Sequence, residues 1–294
     1  MPSLLVNPWI LAARPRTLGA AIIPVLAGSA LAISVSAFDP LVSALILACA
    51  VLIQIATNFF NDAIDHVKGA DTAGRLGPIR VTSTGLLPAR QVMTGAVLII
   101  ALAALLAIPL VLRGGGIILL IGILSLFFAY AYTGGPLPLA YLGLGEIFVI
   151  LFFGLIAVAG TFYLNTLAFS VAAILAGLQI GLHSSVLLAV NNLRDLETDR
   201  AANKKTLAAR CGLTFARREN AALIITPFVL GLAWLPLGYL WAFLLPLLTI
   251  PLAWWLACAC LNAPPARETN QLLAQAAALH AAFGLLLALA FLLP

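Results

Sequence analysis

Residues 41–65 read LVSALILACAVLIQIATNFFNDAID, a long apolar run that closes on Asn58-Phe59-Phe60-Asn61-Asp62-Ala63-Ile64-Asp65, with Asp71 six residues further on. About 20 apolar residues suffice for a helix to cross the hydrocarbon core of a bilayer. Carboxylates at the end of such a helix are costly, so they mark function. A second apolar run, 168–190, closes in the same way on Asn191-Asn192-Leu193-Arg194-Asp195-Leu196-Glu197-Thr198-Asp199. These two patches hold six of the ten acidic residues of the chain.

The composition places both runs in a membrane. Hydrophobic residues make up 63% of the 294 and charged residues only 9%, against about 25% charged in soluble domains. An all-α integral membrane protein follows. Apolar runs of spanning length fall near 18–37, 41–60, 91–112, 115–132, 145–164, 168–190, 221–239, 241–260 and 272–292, which predicts about nine transmembrane helices. With the N-terminus inside, fourteen of the fifteen Lys and Arg side chains fall on one side, in the N-terminal arm and in 61–90, 191–220 and 261–271; only Arg113 falls on the other. Basic residues concentrate in cytoplasmic loops, so the N-terminus and both acidic patches are expected to face the cytoplasm of a cell-membrane protein. The net charge of +5 is then a topology signal, and no nucleic-acid partner is expected. Arg113, alone on the far face, is expected to matter little. No cleavage site follows Arg14 and Arg16, so no removed signal peptide is expected.

Both patches carry Asn-x-x-x-Asp: Asn58 to Asp62, and Asn191 to Asp195, 133 residues apart. This suggests an internal duplication within one domain spanning 1–294, with halves near 1–140 and 141–294 and the polar loops 61–90 and 191–220 forming a cytoplasmic cap. Residues three or four apart share a helix face. Asn58, Asp62 and Asp65 thus form one stripe of oxygen ligands, and Asn191, Asp195 and Asp199 another. Oxygen-only ligands suit Mg2+; no Cys or His cluster offers a zinc site. Lys68, Arg75 and Arg80 follow the first stripe and Arg194, Lys204, Lys205 and Arg210 the second. Metals with such cations are what a diphosphate leaving group requires. A membrane transporter with paired acidic sites is the rival reading, but transport sites sit near mid-membrane and these carboxylates gather at one face.

On these residues the chain resembles the UbiA superfamily of membrane prenyltransferases, from Arg14-Pro15-Arg16-Thr17 to at least Arg210. Within it, the segments Gln54–Asp71, Arg75–Arg80, Tyr132–Pro136, Tyr141–Glu146 and Asn191–Arg210 are most similar to the branch that prenylates 1,4-dihydroxy-2-naphthoate in menaquinone synthesis. The 4-hydroxybenzoate branch usually carries an Asp four residues after Asp65, where this chain has Gly69. The resemblance implies a UbiA-type bundle that transfers a polyprenyl group from polyprenyl diphosphate to an aromatic acceptor in the lipid bilayer. It implies Mg2+ held by Asp62, Asp65, Asp195 and Asp199, with Asn58 and Asn191 or Asn192 orienting or joining that shell and Asn61 among the substrate-binding residues. Asp71 is implied to help through water or to bind the acceptor. Lys68, Arg80 and Lys204 or Lys205 are implied to bind diphosphate, and Tyr132 to face the cation or the acceptor. Arg14 is either an interfacial anchor or a partner for the acceptor carboxylate. Glu146 is either a base that acts from behind the groups touching substrate or a plain N-terminal helix acid. A different aromatic acceptor, such as 4-hydroxybenzoate, is the alternative.

Overall fold

The computed structural model describes residues 7–69, 76–78, 80–136 and 138–294, and every regular element in them is helical. Helix α1 is Pro8–Ala13, α2 Gly19–Ser34, α3 Pro40–Val67, α4 Ala89–Ala131, α5 Leu139–Leu142 and α6 Gly145–Thr166. Then follow α7 Val171–Arg194, α8 Leu196–Ala201, α9 Leu207–Cys211, α10 Leu213–Leu230, α11 Leu240–Asn262 and α12 Arg267–Ala290.

Local chemistry sets the ends of the two helices that carry the acidic patches. Asp39 caps α3, accepting from Leu41 N at 3.0 Å and Val42 N at 3.1 Å, with Pro40 in the first turn. That arrangement satisfies amides that have no partner within the helix. Ser170 caps α7 by accepting from Ala173 N.

Among the described residues, six helices are long and apolar enough to cross a membrane: α3, α4, α6, α7, α11 and α12. The segment Pro8–Thr17, bent by 49° from α2, makes a seventh if the two count as one span. That count takes α4 once, yet α4 holds two of the expected nine runs, 91–112 and 115–132, divided at Gly115, whose φ of 69° and ψ of −157° lie outside helical geometry. Phe59 and Phe60 near the end of α3 lie against Gly95 and Tyr130, so the chain turns back on itself between them. The run 221–239 begins earlier than expected, so that α10 takes in Arg217, Arg218 and Glu219. On α4, Leu98, Leu105 and Leu112 are 65, 63 and 81% exposed. A ridge of leucines seven residues apart, facing outward, is suited only to lipid.

Each acidic-patch helix packs against a later helix, α3 on α4 and α7 on α10. Helix α7 lies at the centre, with α6, α10, α12 and α2 around it. Its approach to α6 is very close. A Cβ built on Gly154 would lie 2.3 Å from Gly177 O and 2.5 Å from Gly181 Cα. Small residues permit this backbone contact, which drives helix association in lipid; here Gly154 sits in a π-helical stretch, Leu151–Ile156. On the α10 side, Gln179 and His183, one turn apart, engage the carbonyls of Pro227 at 2.7 Å and Ile224 at 3.2 Å. They satisfy polar backbone beside the proline of α10.

Arg113 is not the idle residue expected from its position. Its guanidinium donates to Leu164 O at 2.6 Å and Asn165 O at 3.2 Å and lies 3.6 Å from the Asp39 carboxylate. It joins the middle of α4 to the end of α6 and the cap of α3. Arg113→Ala should therefore lower the thermal midpoint of the purified protein, at a cost of about 1–3 kcal/mol for several charge-assisted bonds. An unchanged midpoint would return it to a plain surface role. Gly154→Val should be the more damaging, because backbone on the facing helix has no room to yield.

Candidate active site

The last two turns of α3 point their polar side chains in three directions. Asn58 turns toward the N-terminal arm, where Nδ2 donates to Ala13 O at 2.9 Å and Thr17 Oγ1 at 3.0 Å. Asp62 turns toward the segment that precedes α4. Its carboxylate accepts from Val81 N at 3.2 Å, Thr82 N at 3.0 Å and the Thr82 hydroxyl. Asn61 and Asp65 turn inward. The stripe expected from Asn58 and Asp62 is thus displaced by three residues: the pair four apart that faces the cavity is Asn61–Asp65. Asn58 and Asp62, expected in or around a metal shell, are instead buried and engaged with backbone, because their helix faces meet other segments of the chain.

From α7 and α8 come Asn191, Asn192, Asp195 and Asp199, which line the same cavity of about 230 Å³ as Asn61 and Asp65. The two acidic patches meet at one end of the bundle. Arg14, Arg80, Tyr132 and Lys204 also line the cavity. Lys205 does not; it is exposed, and its amide donates to Tyr141 O at 3.1 Å. Lys68 reaches in from the rim, donating to Thr133 O at 2.8 Å. Its ammonium and that of Lys204 lie 5.1 and 5.0 Å from the centre of the Tyr141 ring. Asp71 and Arg75 fall outside the described residues.

Four carboxylates, Asp65, Glu146, Asp195 and Asp199, and four cations, Arg14, Arg80, Arg194 and Lys204, line this cavity. Three of the carboxylates pair within it. Arg80 Nη2 lies 3.0 Å from Asp65. Arg194 binds Asp195 through two bonds of 2.7 and 2.5 Å. Lys204 Nζ is 4.0 Å from Asp199. Burial pushes the Asp199 carboxyl up to about 6, an effect that Lys204 opposes and the Asp195 charge reinforces.

Among the described residues, no three Asp, Glu, His or Cys side chains close on one point as a ready metal cage. The donor set nevertheless fits a hard divalent cation that keeps waters and phosphate oxygens as ligands. Asp65, Asp195, Asp199 and the Asn61 carbonyl all face one space, and a diphosphate would bring several negative charges into a cavity whose side chains balance.

Three participants are hard to find from sequence. Thr133 donates to Asn61 Oδ1 from the turn after α4; its only signal is the Gly134-Gly135-Pro136 that follows. Leu188 lines the cavity with nothing to mark it within an apolar helix. Asn270, at the start of α12, accepts from Arg194 at 2.8 Å and donates to Leu76 O at 3.0 Å. It ties the end of α7 to the segment after α3.

A second cavity, of about 220 Å³, is apolar and lies between α3, α4 and α6. Tyr132 lines both cavities. The apolar space continues past Ile118, Ile121, Ile156 and Gly160 into a third cavity beside Tyr163 and Phe169. A polar, charge-balanced chamber thus adjoins an apolar one, with Tyr132 on the wall of both, the arrangement of an enzyme that handles a lipid with a charged head.

Residues 21–281 match the UbiA prenyltransferase family. The 1,4-dihydroxy-2-naphthoate octaprenyltransferase of Escherichia coli is 38% identical over 75% of this chain and 74% of its own. That of Haemophilus influenzae is 37% identical over 82% of each. A solved UbiA homolog from Archaeoglobus fulgidus bound to DMAPP and Mg2+ shares the fold, with a TM-score of 0.63 at 15% identity over 96% of this chain and 99% of its own. The chain belongs to the UbiA prenyltransferase family, and is a multi-pass membrane protein of that fold.

Two outcomes test the division of labour at the site. Asp62→Ala should lower the thermal midpoint by about 1–3 kcal/mol of stability, since three buried donors lose their acceptor, whereas Asp199→Asn should leave it nearly unchanged. Conversely, Mg2+ with inorganic diphosphate should raise the midpoint of the wild type and raise it far less in Asp199→Asn. The wild-type shift should also grow as pH rises through about 6, because only ionised Asp199 attracts a cation. A shift that is flat across that range, or equal in both proteins, would remove Asp199 from the cation set.

Proposed function

We propose that this protein transfers a polyprenyl group from polyprenyl diphosphate to 1,4-dihydroxy-2-naphthoate, giving the quinol form of demethylmenaquinone with release of CO2 and diphosphate. The observation that carries this reading is the joining of two acidic helix ends in one cavity that shares Tyr132 with an adjoining apolar cavity. The relatives of E. coli and H. influenzae, similar along most of the chain, support the choice of acceptor.

Asp65, Asp195 and Asp199, with Asn61, would hold Mg2+, which would neutralise the diphosphate and ease its departure. The chain's own residues do the rest. Lys68 and Lys204, whose ammonium groups lie 5.1 and 5.0 Å from the centre of the Tyr141 ring, bind diphosphate oxygens. Arg80 and Arg194 lie on the same side and stabilise the charge that grows as the C–O bond breaks. The ring carbon that bears the carboxyl group attacks C1 of the prenyl chain, and CO2 leaves as the ring regains its aromaticity. The isoprenoid tail lies in the apolar cavity, where its removal from water is favourable. Tyr132 stands where tail meets head, its ring face toward the developing allylic cation. The chain works as one unit of two related halves, with the cavity open to the cytoplasm.

Purified protein supplied with octaprenyl diphosphate, Mg2+ and either 1,4-dihydroxy-2-naphthoate or 4-hydroxybenzoate tests the proposal, the product being identified by mass. Prenylated, decarboxylated naphthol is expected from the first acceptor only, and chelation of the metal should abolish it. Asp195→Ala should reduce turnover by at least about a hundredfold, as expected for loss of a group that stabilises charge in the transition state. Product from 4-hydroxybenzoate alone would overturn the acceptor. A near-normal rate with chelator would overturn the role of the metal.

A further inference from the structure

The cavity has one carboxylate that the diphosphate chemistry leaves unused. Glu146, on the first turn of α6, is only 4% exposed. Asp65, Asp195 and Asp199 each face a cation; Glu146 has none among the described residues. Its Oε1 accepts from Asn192 Nδ2 at 2.6 Å. The backbone beneath it is pinned to α7, with Ser185 Oγ donating to Glu146 O at 3.5 Å.

A buried carboxylate with one amide partner has acceptor capacity left over, since its two oxygens offer about four lone-pair sites. A hydroxyl donor satisfies that capacity without adding charge. The immediate surroundings suit an aromatic body for that donor. A Cβ on the adjacent Gly145 would lie 2.8 Å from Leu188 and 3.3 Å from the Tyr132 hydroxyl. An apolar wall and a phenol thus stand beside the carboxylate, and Tyr132 also lines the apolar cavity. Arg14 supplies a cation on the same cavity for an acid group carried by the acceptor.

We propose that Glu146 orients the aromatic acceptor by accepting a hydrogen bond from one of its ring hydroxyls, with Asn192 holding the carboxylate in place. This rests on the prenyl-transfer reading above and assigns to this residue the choice of hydroxylated rings. Asn192 lies three residues before Asp195, which caps the end of α7, so the end of this helix both fixes the acceptor and leads into the acids of the cavity. A ring placed by Glu146 lies beside Tyr132, where C1 of the prenyl chain must arrive. No proton leaves the acceptor in this step; the hydrogen bond sets position and selects against rings that lack the hydroxyl.

The test compares wild type, Glu146→Gln and Glu146→Leu in detergent. The acceptors are 1,4-dihydroxy-2-naphthoate and its two monomethyl ethers, and acceptor affinity is also read by equilibrium binding without donor. Glu146→Leu should raise the acceptor KM and weaken acceptor binding by at least about tenfold, the loss of one well-made hydrogen bond. The donor KM and the thermal shift with Mg2+ and inorganic diphosphate should stay as in the wild type. Wild type should reject one methyl ether strongly, and Glu146→Leu should no longer tell that ether from the diol. Glu146→Gln, which keeps an acceptor oxygen, should fall between the two and serves alone if the leucine variant does not fold. Equal loss for donor and acceptor would show a merely structural role and overturn the proposal. So would unchanged acceptor affinity, or unchanged discrimination between diol and ether. If wild type binds the diol through Glu146 yet makes no prenylated product, the prenyl-transfer reading fails and this assignment stands; if wild type does not bind it, this assignment fails by itself.

Discussion

A carboxylate at the end of a helix surrounded by lipid needs a positive charge within reach, and this requirement organises one end of the molecule. Asp65 and Asp195 are held by Arg80 and Arg194, whose side chains are 6 and 3% exposed. Removing one partner from such a buried pair costs several kcal/mol, because the other charge is left stranded. Arg80 reaches Asp65 only while the segment before α4 is folded against α3, and Asp62 is what folds it there. Arg194 reaches Asp195 while Asn270 steadies its other nitrogen, and Asn270 also grips Leu76. The site is thus closed by its own ion pairs, and the connections that follow α3 and precede α12 are structural parts of it.

The class of fold was legible because it is written in bulk properties. Long apolar runs, their number and the one-sided distribution of Lys and Arg are properties of the whole chain, insensitive to detail. The meeting of the two acidic patches was also legible, since both close apolar helices with the same spacing. Which member of each stripe faces the cavity was not. Asn58–Asp62 and Asn61–Asp65 have the same four-residue spacing, and helical periodicity cannot distinguish faces when every face carries a polar group. The choice is made by neighbours far off in sequence: Ala13 and Thr17 draw Asn58, and Val81 and Thr82 draw Asp62. For the same reason Arg113 read as idle. Its partners Leu164 and Asn165 offer carbonyls, which leave no trace in composition or charge pattern.

The close seam between α6 and α7 explains how a rigid polar chamber coexists with a cavity for a long apolar chain. At Gly154, Gly177 and Gly181 the two helices touch backbone to backbone, which fixes Glu146 relative to Asn192 and Asp195 a few turns away. On its other face α6 does not pack so tightly. There Phe148 and Phe152 reach Phe128 of α4, while Ile156 and Gly160 line the apolar cavity between the two helices. One helix therefore has a side that sets positions to within hydrogen-bond tolerance and a side that leaves room, and the π-helical stretch Leu151–Ile156 lies between the two tasks. Such stretches often accompany functional sites.

The three ion pairs of the chamber differ in strength in a way that bears on how a charged substrate can enter. Arg194 grips Asp195 with two short bonds, and a fork of that geometry is among the stronger contacts a protein makes. Arg80 holds Asp65 through one nitrogen at 3.0 Å. Lys204 stands 4.0 Å from Asp199, at the limit of contact, and burial has already raised that carboxyl to about 6. Asp199 is therefore the acid with least to lose on exchanging its cation for a metal, and Lys204 the cation most easily redirected to an incoming phosphate oxygen. Lys204 sits beside Tyr141, as does the ammonium of Lys68. The weakest pair, Lys204 with Asp199, is thus the one most readily opened by an incoming charged group, and the strongest, Arg194 with Asp195, the least.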